Sequence, residues 1–302
     1  MSKIPNVGPV TRAITRPNSK PKASQSVLRA LLRRKVVVVA IVVLAIIVVT
    51  AAFAPLLAPY DPNEQDPAAS LQGASAAHWL GTDLLGRDVL SRIIFGARIS
   101  LLVGAAVVVL AGLLGVTIGI ISGYVGGVVD AAFMRAIDAL MAIPVVIFGL
   151  ALGAALGGGI GNVILALGIG TLPVFARVMR GQVLGVREMD YIKAGTVLGI
   201  GPFRNMLVHV LPNCISPIIV LMTMNIGAAI LTESGLSFLG LGVAPPMASW
   251  GSMVSDGYRF ITMQPLISFA PGIAIVVTVL AFNILGDALR DVLDPRLKGV
   301  LR

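Results

Sequence analysis

Five long apolar stretches of this chain carry no charge: 36–58, 99–129, 139–176, 205–232 and 260–286. A helix needs about 20 apolar residues to cross a hydrocarbon core, so each is long enough to span. The run 139–176 is too long for one crossing, and Gly157-Gly158-Gly159-Ile160-Gly161-Asn162 breaks it in the middle. The pattern therefore predicts six transmembrane helices, at about 36–58, 100–122, 139–156, 162–180, 215–235 and 267–287. None of these runs alternates as a membrane β-strand does, and a helix satisfies its own backbone polar groups in lipid. The expected fold is an all-α integral membrane protein.

The polar stretches divide the chain further. Residues 1–35 are rich in Pro, Ser and Lys and read as a disordered basic arm, with Arg33-Arg34-Lys35 at the headgroups before the first span, 36–58. Residues 59–97 open on Pro59-Tyr60-Asp61-Pro62, where prolines bar helix continuation. They close on a stretch whose Val89, Ile93 and Ala97 share a face, which predicts a separate interfacial helix. Residues 98–290 hold the other five spans, and 291–302 form a short tail.

Inside that core, 187–212 is a polar island between two apolar segments. Asp190 is expected to N-cap a short helix in which Tyr191, Ala194, Gly195 and Leu198 recur at i, i+3, i+4 and i+7. Gly199 sits where a helix ends on a left-handed residue, and Gly201-Pro202 starts a second helix with Pro where no N–H is required. Phe203, Met206, Leu207, Val210 and Leu211 give that helix an apolar face. The unspecialised reading is a helix-turn-helix on the membrane surface.

Composition agrees with the spans. The chain of 302 residues is 57% hydrophobic and 12% charged, against about 25% charged in soluble domains. With the N-terminus in the cytoplasm, 19 of the 23 Lys and Arg fall inside and only Arg87, Arg92, Arg98 and Arg259 outside. The acidic residues divide evenly, so the bias is specifically positive-inside, and both termini are expected in the cytoplasm. The net charge of +9 is thus a topology and headgroup signal. Basic residues scattered over membrane flanks, without interleaved aromatics, argue against nucleic-acid binding. The basic leader and first apolar run are both too long for a typical cleaved signal peptide. Cys214 is the only cysteine and forms no internal disulfide.

Catalytic chemistry is missing from the sequence. None of the six lysines follows a glycine, so no phosphate-cradling G-x-x-x-x-G-K-[ST] exists. His78 and His209 are expected on opposite sides of the membrane, which leaves no Cys/His metal set. There is no G-x-S-x-G elbow and no paired-carboxylate site, and the chain is not expected to be an enzyme. The G-x-x-x-G series Gly115 and Gly119, and Gly149, Gly153 and Gly157, reads as helix packing. Asn225 and Asn283 are expected to bond between helices or to line a polar path. Glu233 either faces such a path or reaches the headgroups.

The spacing of the island resembles the Glu-Ala-Ala loop of ABC-importer permeases. Lys193, Ala194 and Gly195 take its first three places, followed by Gly199 and, after nine intervening residues, His209-Val210-Leu211-Pro212. The alanine, the glycine and Leu-Pro match, whereas Lys193 stands where the family has glutamate and His209 where it has isoleucine. The stretch Gly81-Thr82-Asp83 with Gly86-Arg87-Asp88-Val89, Ser91-Arg92 and Gly96-Ala97-Arg98 resembles the second permease subunit of the dipeptide and oligopeptide (peptide/nickel) importers. Asp130 with Arg135, Asp138 and Pro144 agrees with it. So do Leu236-Ser237-Phe238-Leu239-Gly240-Leu241-Gly242 and the end from Phe282 to Pro295, and the resemblance covers about 28–299.

It implies a type I importer permease fold in a bacterial inner membrane. The partners it implies are a second homologous permease, two ATPases that bind ATP and Mg, an external substrate-binding protein and lipid. This chain itself would hold no cofactor and no metal. Lys193, Ala194, Gly195, Gly199, Pro202, Phe203, Leu211 and Pro212 would couple to an ATPase. Nickel and glutathione importers share these motifs. A proton- or sodium-coupled transporter would want intramembrane carboxylates and an inverted repeat, and neither is evident.

Overall fold

The structure is a computed structural model that describes residues 31–293. The arm expected over most of 1–35, and the tail beyond Leu293, lie outside the described residues. Nine helices carry the described chain: α1 Lys35–Ala52, α2 Val89–Val125, α3 Gly127–Met141, α4 Val145–Leu156, α5 Ile160–Arg187, α6 Asp190–Val197, α7 Pro202–Phe238, α8 Trp250–Tyr258 and α9 Leu266–Leu293. Single turns of helix add Ala54–Leu57 and Pro67–Ala69, and among the described residues the only β pairing is the isolated bridge between Thr82 and Asp88.

Helices α1, α2, α5, α7 and α9 are each long and apolar enough to cross a membrane. The sixth span, expected at 139–156, is a correction in detail: α3 and α4 meet there at 84°. Pro144 forces the bend, because its ring disfavours helix in the preceding residue and it has no N–H to donate. Two expected boundaries also move. The interfacial helix expected over 89–97 is not separate, because α2 runs unbroken through 37 residues from Val89. The helix expected at 215–235 begins at Pro202. It passes through a π turn, Met206–Val210, where the Leu211 amide donates to the Met206 carbonyl five residues back. Pro212 has no N–H for an ordinary i→i−4 bond, so the ladder shifts register just before it. Asn213 Nδ2 donates to the His209 carbonyl at 2.7 Å and satisfies one acceptor beside the defect.

The core is built on α2 packed along α5. A Cβ on Gly115 would lie 2.6 Å from Phe175 Cβ, one on Gly119 2.5 Å from the Ala176 carbonyl oxygen, and one on Gly123 2.9 Å from Val183 Cβ. In lipid such contact supplies the dispersion energy that a hydrophobic drive cannot. Helix α7 packs on α2 and α9, and α1 on α9. Gly149 and Gly153 lie under Leu236 and Leu241, but Gly157 is not part of that face. It ends α4 with φ +81 and nothing near it. Val39, Val42, Ile46, Leu113 and Ile273 stay exposed, as befits faces that meet lipid or another subunit.

Gly119→Leu is expected to force α2 off α5, because the nearest atoms are backbone. The overpacking should cost about 1–3 kcal/mol or more and lower the thermal midpoint and monodisperse yield in detergent. Gly272→Ala, where a Cβ meets nothing within 4 Å, is the control and should match wild type.

Candidate functional site

Two polar constructions stand at opposite ends of the bundle. One is the hairpin of α6 and the start of α7. Helix α6 ends in a Schellman motif: the Gly199 amide donates to Thr196 at 3.1 Å and the Ile200 amide to Gly195 at 3.0 Å. Gly199 has φ +81, as its position in the sequence predicts. Gly201 then turns the chain extended, and Pro202 opens α7.

The hairpin differs from the sequence expectation in two respects. Met189, not Asp190, is the N-cap, and Asp190 is the first helical residue with no side-chain cap bond. Its charge still favours the positive end of the helix. The buried face of α6 is Ile192 and Gly195, while Tyr191, Ala194 and Leu198 are exposed. Asn205 explains that choice. It is buried at the first turn of α7, and its Nδ2 lies 3.4 Å from both the Ile192 carbonyl and Thr196 Oγ1. Gly195 admits this approach. The outer side is strongly apolar for an exposed loop: Val197 is 87% exposed, Leu198 82% and Phe203 69%. Ala194 and Pro202 lie on the same exposed hairpin, as does Pro212, while Leu211 is half-buried.

Lys193 points along the hairpin to Glu188, with Nζ and Oε2 3.0 Å apart. The hydrogen bond from Lys193, with its charge, holds the Glu188 carboxyl below the usual range. Beneath the hairpin the helix ends are tied together. Arg180 makes a two-pronged bond to Asp130, both contacts at 2.6 Å, and Ser122 donates to the same carboxylate. Arg187 donates to the carbonyls of Gly123 and Tyr124, at 3.3 and 3.1 Å, at the end of α2. Arg177 pairs with Asp138 at 2.6 Å. Asn205, Arg180 and Arg187 were not evident as partners from sequence, since each acts across elements far apart in the chain.

At the other end, residues 59–88 fold into a knot around the expected external motif. Asp83 Oδ1 accepts from the amides of Leu85 and Arg87 at 2.9 and 3.0 Å, and Oδ2 from Arg87 Nε at 2.6 Å. Asp88 caps α2, accepting from the Ser91 amide at 2.7 Å and hydroxyl at 2.8 Å, with His78 Nδ1 at 3.0 Å. The buried Thr82 hydroxyl donates to the Ala69 carbonyl and accepts from the Gln72 amide at 2.9 Å. Gly81 and Gly86 have positive φ, and a Cβ on Gly86 would fall 1.8 Å from the Asp66 carbonyl oxygen. Thr82, Asp83 and Asp88 of the motif are thus spent on holding the loop. Trp250 fastens α8 to α2, its Nε1 donating to the Ile93 carbonyl at 3.0 Å.

The candidate path residues are not brought together. Glu233 is fully buried, and the Ser237 hydroxyl donates to its Oε1 at 2.6 Å while Oε2 has no partner. Its carboxylate is enclosed by the chain's own side chains. Asn225 donates to Leu221 of its own helix at 2.8 Å, not to a neighbour, and Asn283 is exposed. Among the described residues no three His, Cys, Asp or Glu side chains gather as a metal set.

Asp83→Ala is expected to leave the buried Arg87 and Arg92 uncompensated. The cost should be about 3–5 kcal/mol, read as rapid proteolysis within 59–88, whereas Ser91→Ala should cost about 1 kcal/mol and leave the loop resistant.

Residues 115–299 match the family described as binding-protein-dependent transport system inner membrane component, and residues 23–74 match the N-terminal TM domain of oligopeptide transport permease C. The dipeptide transport system permease protein DppC of Alkalihalophilus pseudofirmus is 40% identical over 291 residues, covering 94% of this chain and 96% of that one. The glutathione transport system permease protein GsiD of Pectobacterium atrosepticum is 40% identical over 272 residues, covering 90% of each. Among solved structures, the inward-facing MetNI methionine ABC transporter superposes with a TM-score of 0.55 at 15% identity, covering 67% of this chain and 96% of its counterpart. That likeness extends to the fold. The chain belongs to the binding-protein-dependent transport-system inner membrane components, and is a multi-pass inner-membrane permease.

Proposed function

We propose that this chain is one of two permease subunits of an ATP-driven importer for dipeptides, oligopeptides or glutathione-like peptides. The observation that carries the reading is the α6–α7 hairpin: an exposed apolar surface held on a rigid ion-paired platform, in a chain of this family. The ATPases sit on that hairpin and bind the ATP and Mg, and this chain holds neither and catalyses no reaction itself. A second permease completes the path, and a substrate-binding protein delivers peptide at the opposite face. Both termini lie in the cytoplasm, since that orientation puts the hairpin and most Lys and Arg inside.

The mechanism follows from stiffness. Asp130–Arg180 ties α3 to α5, Arg187 ties the end of α5 to the end of α2, and Asn205 ties α6 to α7, so the hairpin stands on helix ends that are bound to one another. A displacement imposed by closing ATPases is therefore passed to α2, α5 and α7 as a body, in keeping with rocking bundles around a path. The π turn before Pro212 marks where α7 departs from regular helix between hairpin and span.

Co-expression with its ATPases and binding protein tests the reading: a stable complex should co-purify and import peptide only with ATP. Gly199→Val should insert normally but lose ATPase co-purification and transport. Its Cβ meets nothing within 4 Å, so the penalty is backbone strain, on the order of 1–3 kcal/mol. Full transport by that variant would overturn the role of the hairpin. For orientation, Cys214 is first replaced by Ser. A cysteine at Asp66 should then react with an impermeant thiol reagent in intact spheroplasts, and one at Arg187 only after lysis.

A further inference from the structure

Between the 59–88 knot, the α7–α8 connection and α8 lies a cavity of about 670 Å³. Three guanidiniums line it, Arg87, Arg92 and Arg259, against two carboxylates, Asp83 and Asp256. The pairing is incomplete. Asp83 Oδ2 serves both Arg87 Nε at 2.6 Å and Arg92 Nε at 3.6 Å. Asp256 approaches Arg87 only to 3.8 Å. Arg92 is almost fully buried, yet its one hydrogen bond is from Nη1 to the Pro62 carbonyl at 3.1 Å. Arg259 stands exposed on the rim and makes no ion pair among the described residues. The cavity therefore carries one positive charge in excess and several undirected N–H donors, which is the chemistry that recognises a carboxylate.

The cavity opens at the surface, where Arg259 and Asp256 are exposed. Its lining includes Ile267, part of a packed apolar cluster with Val89, Ala248 and Met253. A pocket whose charges stand at its open rim, walled by the 59–88 knot and the α7–α8 connection, suits a docking contact. We propose that it receives an acidic side chain of the external substrate-binding protein, with Arg259 meeting the carboxylate first. This rests on the importer reading and orientation given above. Charges at a wet rim act mainly on encounter and register, so the contact should be salt-sensitive.

The test uses the assembled complex in nanodiscs, titrated with the substrate-binding protein at low and at physiological salt. Arg259→Glu is expected to weaken binding about tenfold and to flatten its salt dependence. Asp256→Asn, which removes a competing rim carboxylate, is expected to tighten it about two- to fivefold. Arg259→Gln carries the same test with a smaller shift should the charge reversal lower the yield. Unchanged affinity in both substitutions would overturn the proposal. So would a raised KM for peptide with unchanged binding-protein affinity, which would give the cavity to the peptide's own carboxylate. A wild-type complex that binds no such protein at all would overturn the importer reading instead, and the docking site with it.

Discussion

The near-contact of the α2 and α5 backbones is the constraint from which the rest of the hairpin end follows. Gly115, Gly119 and Gly123 present one turn after another without side chains, and Phe175, Ala176, Met179 and Val183 fill the space. Only at that spacing does Arg180 of α5 reach Asp130, just after the end of α2, while Ser122 of α2 donates to the same carboxylate. Arg187, two turns further along α5, then meets carbonyls that α2 leaves unpaired at its end. The caps of one helix are thus supplied by the side chains of another, and the platform of the hairpin consists of those caps.

The two ends of the molecule spend polar groups differently. In the knot, Asp83, Asp88 and Thr82 each satisfy two or more donors or acceptors within residues 69–91, so the loop holds its shape without help from the bilayer. At the hairpin, the polar groups face the helices and the apolar groups face out. Burying Val197, Leu198 and Phe203 against a partner would recover about 25 cal/mol for each Å² removed from water. A loop built this way is stable as a shape yet incomplete as a surface. That asymmetry is why the motif of one end reads as structure and that of the other as an interface.

How much of this was legible in the sequence depended on whether the cause was local. The spans were visible because apolar length is local, as were the break at Gly157 and the left-handed end at Gly199. The bend at Pro144 was visible as a proline but not as an angle of 84°. The extension of α2 back to Val89 was missed because helix and interfacial segment share one periodicity, and only the Asp88 cap shows where the helix begins. The buried face of α6 was misassigned for a different reason. In eight residues, Gly195 belongs equally to the series Tyr191, Ala194, Leu198 and to a pairing with Ile192. Asn205, thirteen residues from Ile192, decides between them. Glu233 was expected to face a path or to reach the headgroups; it is buried instead, with the Ser237 hydroxyl on one carboxylate oxygen.

Lys193 shows how a local departure from a motif is absorbed. A lysine in place of a glutamate would present a partner with the wrong sign of charge, at a cost that grows as the contact dries. Here Glu188 lies 3.0 Å from the ammonium and 3.7 Å from Arg187 Nε, so the lysine is met within the hairpin by a carboxylate that it shares with Arg187. The acid has moved one and a half helical turns upstream, across the α5–α6 junction, but it has not left the surface. Charge reversal at position 193 therefore acts first on Glu188, placing two carboxylates side by side, and only then on whatever docks there. The exchange of both residues restores the pair with its dipole inverted. Any effect that survives it belongs to the partner, and any effect that it cures belongs to the loop.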